Sequence, residues 1–255
     1  MKRTLTSKIQ SILWSKPRLY DATKRAQRAV LRRHTPAYSA IDRFSRELGG
    51  SVRFIQIGAN DGLRNDPIRE FIVRDDWSGV LVEPLPYAVS LLRANYPARR
   101  FPNLKFVNAA ATTRDGSALR LWSASDDYLG ELPRERRLEL LRKASVDREH
   151  VIKFLPPEAV ANGAIVQLEV PAVTIESLAQ TTFPGGQFDL LVVDAEGHEP
   201  AILRSIDFQQ TRPKAIFFES QHLGSEQKAI ENLLRVAGYD LQRVAGDSFA
   251  TLRDN

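Results

Sequence analysis

Phe54-Ile55-Gln56-Ile57-Gly58-Ala59-Asn60-Asp61-Gly62 is an apolar run that stops abruptly at glycines, and the next apolar run, Val80-Leu81-Val82, closes on Glu83. A strand, a glycine turn, a helix and a strand ending in an acid make one half of a nucleotide-binding α/β sheet. Glycines let backbone pass close to a ligand, and an acid at the end of the second strand accepts hydrogen bonds from ribose hydroxyls. The turn reads G-x-N-x-G rather than G-x-G-x-x-G. That favours a nucleoside without phosphates over a pyrophosphate cradle, and S-adenosylmethionine is the common cofactor of that description.

The rest of the chain continues the alternation of strands and helices. Asp66 and Pro67 read as N-cap and first helical residue, with Ile68, Phe71 and Ile72 on the inner stripe. Pro86 opens a helix that faces Val89, Leu92 and Tyr96 inward, and Leu104 to Val107 reads as the third strand. Leu119 to Trp122 and the alternating Val166 to Val170 add short strands, and Thr174 caps a helix that holds Ile175 and Leu178. Phe188 to Val193 is an apolar run interrupted by Asp189, as expected of a central parallel strand. Pro200 starts a helix, Ala215 to Phe218 is a strand ending at Glu219, and Ser225 is read as the cap of the helix after it. Leu241 to Val244 and Phe249 to Leu252 form a closing hairpin. The expected fold is a doubly wound, mostly parallel seven-stranded sheet over residues 49–255. Residues 123–164 are too long and too patterned for a loop and read as a helical insertion or lid, with a helix from Pro133 carrying Leu138, Leu141 and Ala144.

Charge sets the first 48 residues apart. They hold twelve Lys and Arg against three acids, a net +9 in a chain of net +5, which leaves −4 for the remainder. Leu5, Ile9, Ile12 and Leu13 share one helical face, a second helical stretch runs from about Ala22 to Arg33, and a third carries Ile41, Phe44 and Leu48. This basic arm reads as a helical cap or homodimer contact, with peripheral contact to an anionic membrane face as the functional alternative. Nucleic acid is disfavoured, because aromatic platforms are sparse in the arm. There is no cysteine, hence no disulfide and no thiolate metal site. No apolar run approaches the ~20 residues needed to span a bilayer, and the basic start lacks the apolar stretch of a signal peptide. A cytoplasmic location is expected, with or without attachment at the inner membrane face.

The chain resembles the FkbM family of class I methyltransferases. The resemblance rests on Ile57-Gly58-Ala59-Asn60-Asp61-Gly62, Val82-Glu83-Pro84, Val170-Pro171-Ala172-Val173-Thr174, Asp194-Ala195-Glu196-Gly197-His198-Glu199, and Arg212-Pro213 ahead of Phe217-Phe218-Glu219, in that order over residues 50 to 252. It implies methyl transfer from S-adenosylmethionine to an oxygen, often a hydroxyl of a sugar, a glycan or a secondary metabolite. In such a fold Glu83 would hold the ribose hydroxyls. Gly58, Ala59, Asn60, Asp61 and Gly62 would run beneath the amino-acid part of the cofactor, with Pro84 beside it. Asn108 and Ala109, after the third strand, would lie at the base.

Asp194, Glu196 and His198 end the fourth strand of the sheet at the crevice where open α/β sheets bind ligands. Asp194 would sit nearest the transferable methyl and the cofactor's amine, and Glu196 or His198 would take the acceptor's proton. Glu219, Gln221 and His222 end the fifth strand on the same rim, as acceptor contacts or, for His222, a base. Asp194 and Glu219 together could hold Mg²⁺, since an oxygen-rich site favours a hard cation. Arg148 and His150 in the insertion are acceptor contacts for an acidic or sugar-like group.

Three other classes compete with this reading. An NAD-dependent oxidoreductase needs the phosphate cradle that Asn60-Asp61 replaces. A non-catalytic binding protein on the same fold would not need intact Gly58, Gly62, Glu83 and Asp194. A nucleic-acid methyltransferase acting on amino groups would carry an Asn/Asp-Pro-Pro-aromatic turn where Asp194-Ala195-Glu196-Gly197 stands.

Overall fold

Alternation along the central strands decides the architecture. The computed structural model describes residues 35–253. In β1 (Arg53–Ile57), Ile55 and Ile57 point to one face of a sheet and Phe54 to the other. The same split recurs in β2 (Ser78–Val82), where Val80 and Val82 oppose Leu81, and in β7 (Leu190–Val193), where Leu191 and Val193 oppose Leu190 and Val192. A strand buried on both faces needs helices on both faces, which is the doubly wound arrangement. With β3 (Leu104–Val107), β8 (Ala215–Glu219), β9 (Tyr239–Val244) and β10 (Asp247–Leu252), the sheet has the order β3-β2-β1-β7-β8-β10-β9. All neighbours are parallel except at β10, which runs antiparallel to both β8 and β9.

One face is covered by α1 (Pro36–Glu47), α2 (Arg69–Asp75) and α3 (Pro86–Asn95), through Ile41, Phe44, Phe71, Ile72 and Leu92. Phe71 stacks between Tyr38 and Trp77, and Phe44 meets Phe249 of β10 edge-on. The opposite face is covered by α8 (Ile175–Thr182), α9 (Glu199–Ser205) and α10 (Gln227–Val236), through Ile175, Leu178, Ile202, Leu203, Ile230 and Leu234.

Asp189 explains the polar interruption at the start of the fourth strand of the sheet. It is 4% exposed, and its carboxylate accepts from Arg53 N and Nε and lies 3.0 Å from Lys214 Nζ. Burial raises the pKa of this carboxyl, but the hydrogen bonds from Arg53 and Lys214 outweigh it and hold the group below the usual carboxylate range. It ties the starts of β1, β7 and β8 together at the sheet edge away from the glycine turn.

Two local expectations need correction. The helix after the glycine turn begins at Arg69, because Asp66 Oδ1 accepts from both Ile68 N and Arg69 N and holds a turn there first. Ser225 does not cap α10; a 3₁₀ turn over Gly224–Glu226 leads directly into it. The third helical stretch of the basic arm is α1, and its Ile41 and Phe44 pack into the sheet's own core. The other two helical stretches of the arm lie outside the described residues. Among the described residues no helix is long and apolar enough to cross a membrane.

The insertion is more broken than expected. It holds α4 (Asp126–Glu131), α5 (Arg134–Leu141), α6 (Arg148–Ile152) and α7 (Pro157–Ala161), flanked by β5 (Ala118–Ala124) and β6 (Ile165–Val173). These two strands pair antiparallel, and β6 also pairs with the short β4 (Ala110–Ala111) in a second sheet. α5 stops before Ala144 because Ser145 exchanges two backbone hydrogen bonds with Trp122, at 2.7 and 3.0 Å, and an extended crossing replaces the helix. The insertion has its own apolar core of Leu129, Leu138, Leu140, Leu141, Val151 and Leu155, packed on Leu85 and Ala88 at the start of α3.

Candidate active site

A cleft of about 340 Å³ opens over the carboxyl ends of β1, β2, β7 and β8. This is where an open parallel sheet binds its ligand, because the loops there diverge from strand ends of one polarity. Its walls fall into two halves.

The first half is built from backbone. Gly58 has φ 74°, and a Cβ there would overlap the carbonyl oxygen of Asp194. The glycine is therefore required by the crossing of the β1 and β7 ends, in addition to any approach by a ligand. Asn60 takes φ 49°, and its Oδ1 accepts from Asp61 N at 2.7 Å. Glu83 is 5% exposed, and its two carboxylate oxygens accept from Asn60 N and Leu85 N, both at 3.0 Å. Burial pushes its carboxyl up to about 7 against these two hydrogen bonds. Gly58, Ala59, Asn60, Glu83, Pro84 and Ala109 all line the cleft.

Three residues expected beside them do not. Asp61 turns into the protein, where its Oδ1 accepts from Leu63 N and Arg64 N. Gly62 has φ 65°, and a Cβ there would press on Tyr96 and Leu92, so its demand is for packing against α3. Asn108 donates Nδ2 to the carbonyls of Glu83 and Pro84, at 3.0 and 2.8 Å; it fixes the backbone after β2 and does not line the cleft.

The second half is built from charged side chains. Asp194, Glu196 and His198 follow β7, Glu219 ends β8 and Gln221 follows it, all on the cleft wall. Glu199, absent from the sequence-derived site, is fully buried, and its carboxylate accepts from Ala195 N at 2.6 Å and Gly197 N at 3.0 Å. It shapes the loop that presents Asp194 and Glu196, and burial raises its carboxyl to about 7. Carboxylate oxygens of Asp194, Glu199 and Glu219 come within 4.8 Å of one another. Asp194 has surface open to the cleft yet is surrounded by protein on its other sides. That surrounding, and then the charges of Glu219, Glu196 and Glu199, raise its carboxyl well above the usual range.

The insertion closes onto this half. Lys143 Nζ lies 2.5 Å from Glu196 Oε1, His150 Nε2 lies 3.1 Å from Glu196 Oε2, and Ser145 Oγ donates to the Glu196 carbonyl at 2.9 Å. Glu196 adopts φ 47°, the left-handed conformation that turns its side chain toward them. His150 therefore meets the cleft through Glu196 and is not part of its wall. His222 lies 3.6 Å from Glu219 with half its side chain in solvent, and its ring centre is 6.3 Å from that of His150. Arg148 stacks over Trp122 and pairs with Glu149, away from the cleft.

His198 also lines the cleft. Burial lowers its pKa, so the imidazole is neutral near pH 7, and its Nε2 is buried without a hydrogen-bond partner among the described residues. Glu219 Oε2 is likewise buried and unpartnered, while its Oε1 accepts from Gln221 Nε2. Besides Glu199, sequence reasoning missed Gln56, Arg64, Arg142, Lys143 and Asp247, all of which line the cleft. The D-x-E-G-x-E spacing was a usable signal for Glu199. Asp247, whose carboxyl burial and then Glu219 raise to about 6, comes from a hairpin with no local signal of its own.

A methyltransferase FkbM domain matches residues 56–241. No curated protein matches the chain. Among solved structures, an FkbM methyltransferase from Methylobacillus flagellatus KT aligns at 10% identity and a TM-score of 0.44, covering 79% of this chain and 44% of that one. An RNA methyltransferase from Salinibacter ruber, in complex with S-adenosyl-L-homocysteine, aligns at 12% identity and 0.39, covering 84% and 89%. Aeropyrum pernix fibrillarin, with natively bound S-adenosyl-L-methionine, aligns at 11% and 0.39, covering 78% and 66%. With the family's domain spanning the β1 turn, the insertion and the acidic rim alike, this chain belongs to the FkbM methyltransferase family.

Proposed function

We propose that the chain is an S-adenosylmethionine-dependent O-methyltransferase acting on a hydroxyl of a sugar, a glycan or a secondary metabolite. The observation that carries the reading is Glu83: a buried carboxylate at the end of β2, held by two backbone N–H groups and facing the cleft. Each of its oxygens has given one acceptor site to the backbone and retains another, which suits a vicinal diol. The acidic rim of Asp194, Glu196 and Glu219 suits a ligand that carries positive charge on sulfur and nitrogen. The same rim would repel the phosphates of NAD.

When bound, S-adenosylmethionine supplies an electrophilic methyl group. The chain's own residues position the acceptor and manage its proton. His198 accepts the hydroxyl proton through its unpartnered Nε2. Glu196, engaged by Lys143, positions the loop and is not the base. Bringing the two reactants to near-attack distance can be worth ~7–11 kcal/mol, so proximity is the larger contribution and the base the smaller.

A second reading gives Asp194 and Glu219 to Mg²⁺, favoured by the grouping of three carboxylate oxygens within 4.8 Å. Glu199 counts against it, since both of its oxygens are already used by Ala195 N and Gly197 N. Calorimetric titration of the full chain with S-adenosylhomocysteine and with NAD tests the main reading. Micromolar binding of the former and none of the latter is expected; preference for NAD would overturn it. Methyl transfer to hydroxyl acceptors that persists after EDTA and dialysis would dispose of the metal.

A further inference from the structure

The cleft is acidic on one side, yet two arginines line it without an acid to pair with. Several described arginines are paired with acids: Arg53 with Asp189, Arg74 with Asp42 and Asp75, Arg235 and Arg243 with Glu231. Arg64 and Arg142 line the cleft, and neither makes an ion pair with an acid among the described residues. An unpaired arginine on an open surface is ordinary, because water solvates it. Arg142 is half-buried, and its Nε is buried without a hydrogen-bond partner among the described residues. A desolvated N–H on a cation is costly unless something accepts from it.

The positions of the two differ. Arg64 follows the glycine turn, on the wall that carries Glu83, and is suited to the cofactor's own carboxylate. Arg142 is the C-cap of α5, in helical conformation just ahead of the Ser145–Trp122 bridge, on the wall formed by the insertion and β5 with Leu121, Leu141 and Ala144. Its neighbour Lys143 is already neutralised by Glu196, so Arg142 is the cation left on that wall.

We infer that Arg142 selects an acceptor that carries an anionic group, a carboxylate or a phosphate, beside the hydroxyl that is methylated. The inference rests on the methyltransferase reading and narrows its acceptor class. It also reassigns the acid-binding role expected of Arg148, whose guanidinium is spent on Trp122 and Glu149. A guanidinium presents a planar fork of donors that matches either anion. It offsets the repulsion that the acidic rim at Glu219 would exert on such an acceptor, and an anion accepts from a guanidinium more strongly than a neutral hydroxyl does.

The test uses the full chain saturated with S-adenosylhomocysteine and titrated with D-glucuronate, D-glucose 6-phosphate and D-glucose. At least one anionic sugar should bind tenfold or more tighter than glucose, and which of the two does so separates carboxylate from phosphate. Arg142→Gln should lose that preference with S-adenosylhomocysteine affinity within twofold of the parent and an unshifted melting transition; Arg142→Lys should recover part of it. Arg64→Gln should weaken S-adenosylhomocysteine instead. Equal binding of the three sugars, binding of none, or a loss of S-adenosylhomocysteine affinity in Arg142→Gln overturns the inference. Failure of the parent to bind S-adenosylhomocysteine at all would be a failure of the cofactor reading; the same three titrations on the unliganded chain would then still judge Arg142.

Discussion

The two halves of the cleft are held together by different forces. Around Glu83 the work is done by backbone: Asn60 N and Leu85 N on the carboxylate, Asn108 on two carbonyls, Gly58 against the carbonyl of Asp194. Around Glu196 it is done by side chains from distant segments: Lys143, Ser145 and His150. Backbone contacts fix a geometry that few substitutions can preserve. Side-chain contacts between partly exposed charges are weaker and can be exchanged. The first half should therefore be brittle and the second adjustable.

Gly58→Ala should show the largest effect. The added Cβ overlaps Asp194's carbonyl and the residue sits at positive φ, so overpacking and backbone strain combine to about 3 kcal/mol or more of lost stability. Gly197→Ala, at φ 99° with open space around the site, should cost only about 1 kcal/mol. Denaturant midpoints of the two variants would compare them directly, and equal losses would remove the distinction.

Glu83→Gln comes next. Hydrogen bonds to a charged group are worth about 1.5–3 kcal/mol, so S-adenosylhomocysteine should bind roughly ten- to hundredfold more weakly. In the parent the carboxyl titrates near 7 and only the ionised form accepts on both oxygens. Affinity should accordingly rise roughly tenfold from pH 6 to pH 8 as the proton leaves, and flatten above that. The glutamine variant should lack that part of the rise. Calorimetry at three pH values suffices.

Breaking the Lys143–Glu196 contact should cost less, about 1 kcal/mol, because both side chains retain some exposure. A double-mutant cycle with Lys143→Met and Glu196→Gln, read by hydrogen exchange across residues 126–161, should find the coupling there while β1 and β2 stay protected. Loss of protection in the sheet as well would mean that the halves are one cooperative unit. The smallest effect belongs to Arg120→Ala: the Arg120–Glu169 pair on β5 and β6 is 3.9 Å apart with both side chains about two-thirds exposed, so denaturant unfolding should show less than about 0.5 kcal/mol of lost stability.

The same contrast explains what could be read from the sequence. The sheet was legible because a strand buried on both sides leaves a near-continuous apolar run, and Ile55, Val80, Leu191 and Ile216 all lie in such runs. Glu83 was legible because its position at a strand end follows from local order. Lys143 meets Glu196 across 53 positions, and no local pattern encodes that meeting. The early stop of α5 had the same cause: helical spacing favours Ala144 on the inner face, but the bridge between Ser145 and Trp122 overrides it. Asn108 bonds the carbonyls of Glu83 and Pro84 and Gly62 packs against Tyr96 and Leu92, contacts the sequence does not encode, since a need for an amide or a small residue does not say what it faces.

The helices between β5 and β6 keep their leucines in a store of their own, which packs on Leu85, Ala88 and Leu91 at α3. A lineage could thus remodel what the enzyme recognises by exchanging this module, while the chemistry at the strand ends is inherited intact.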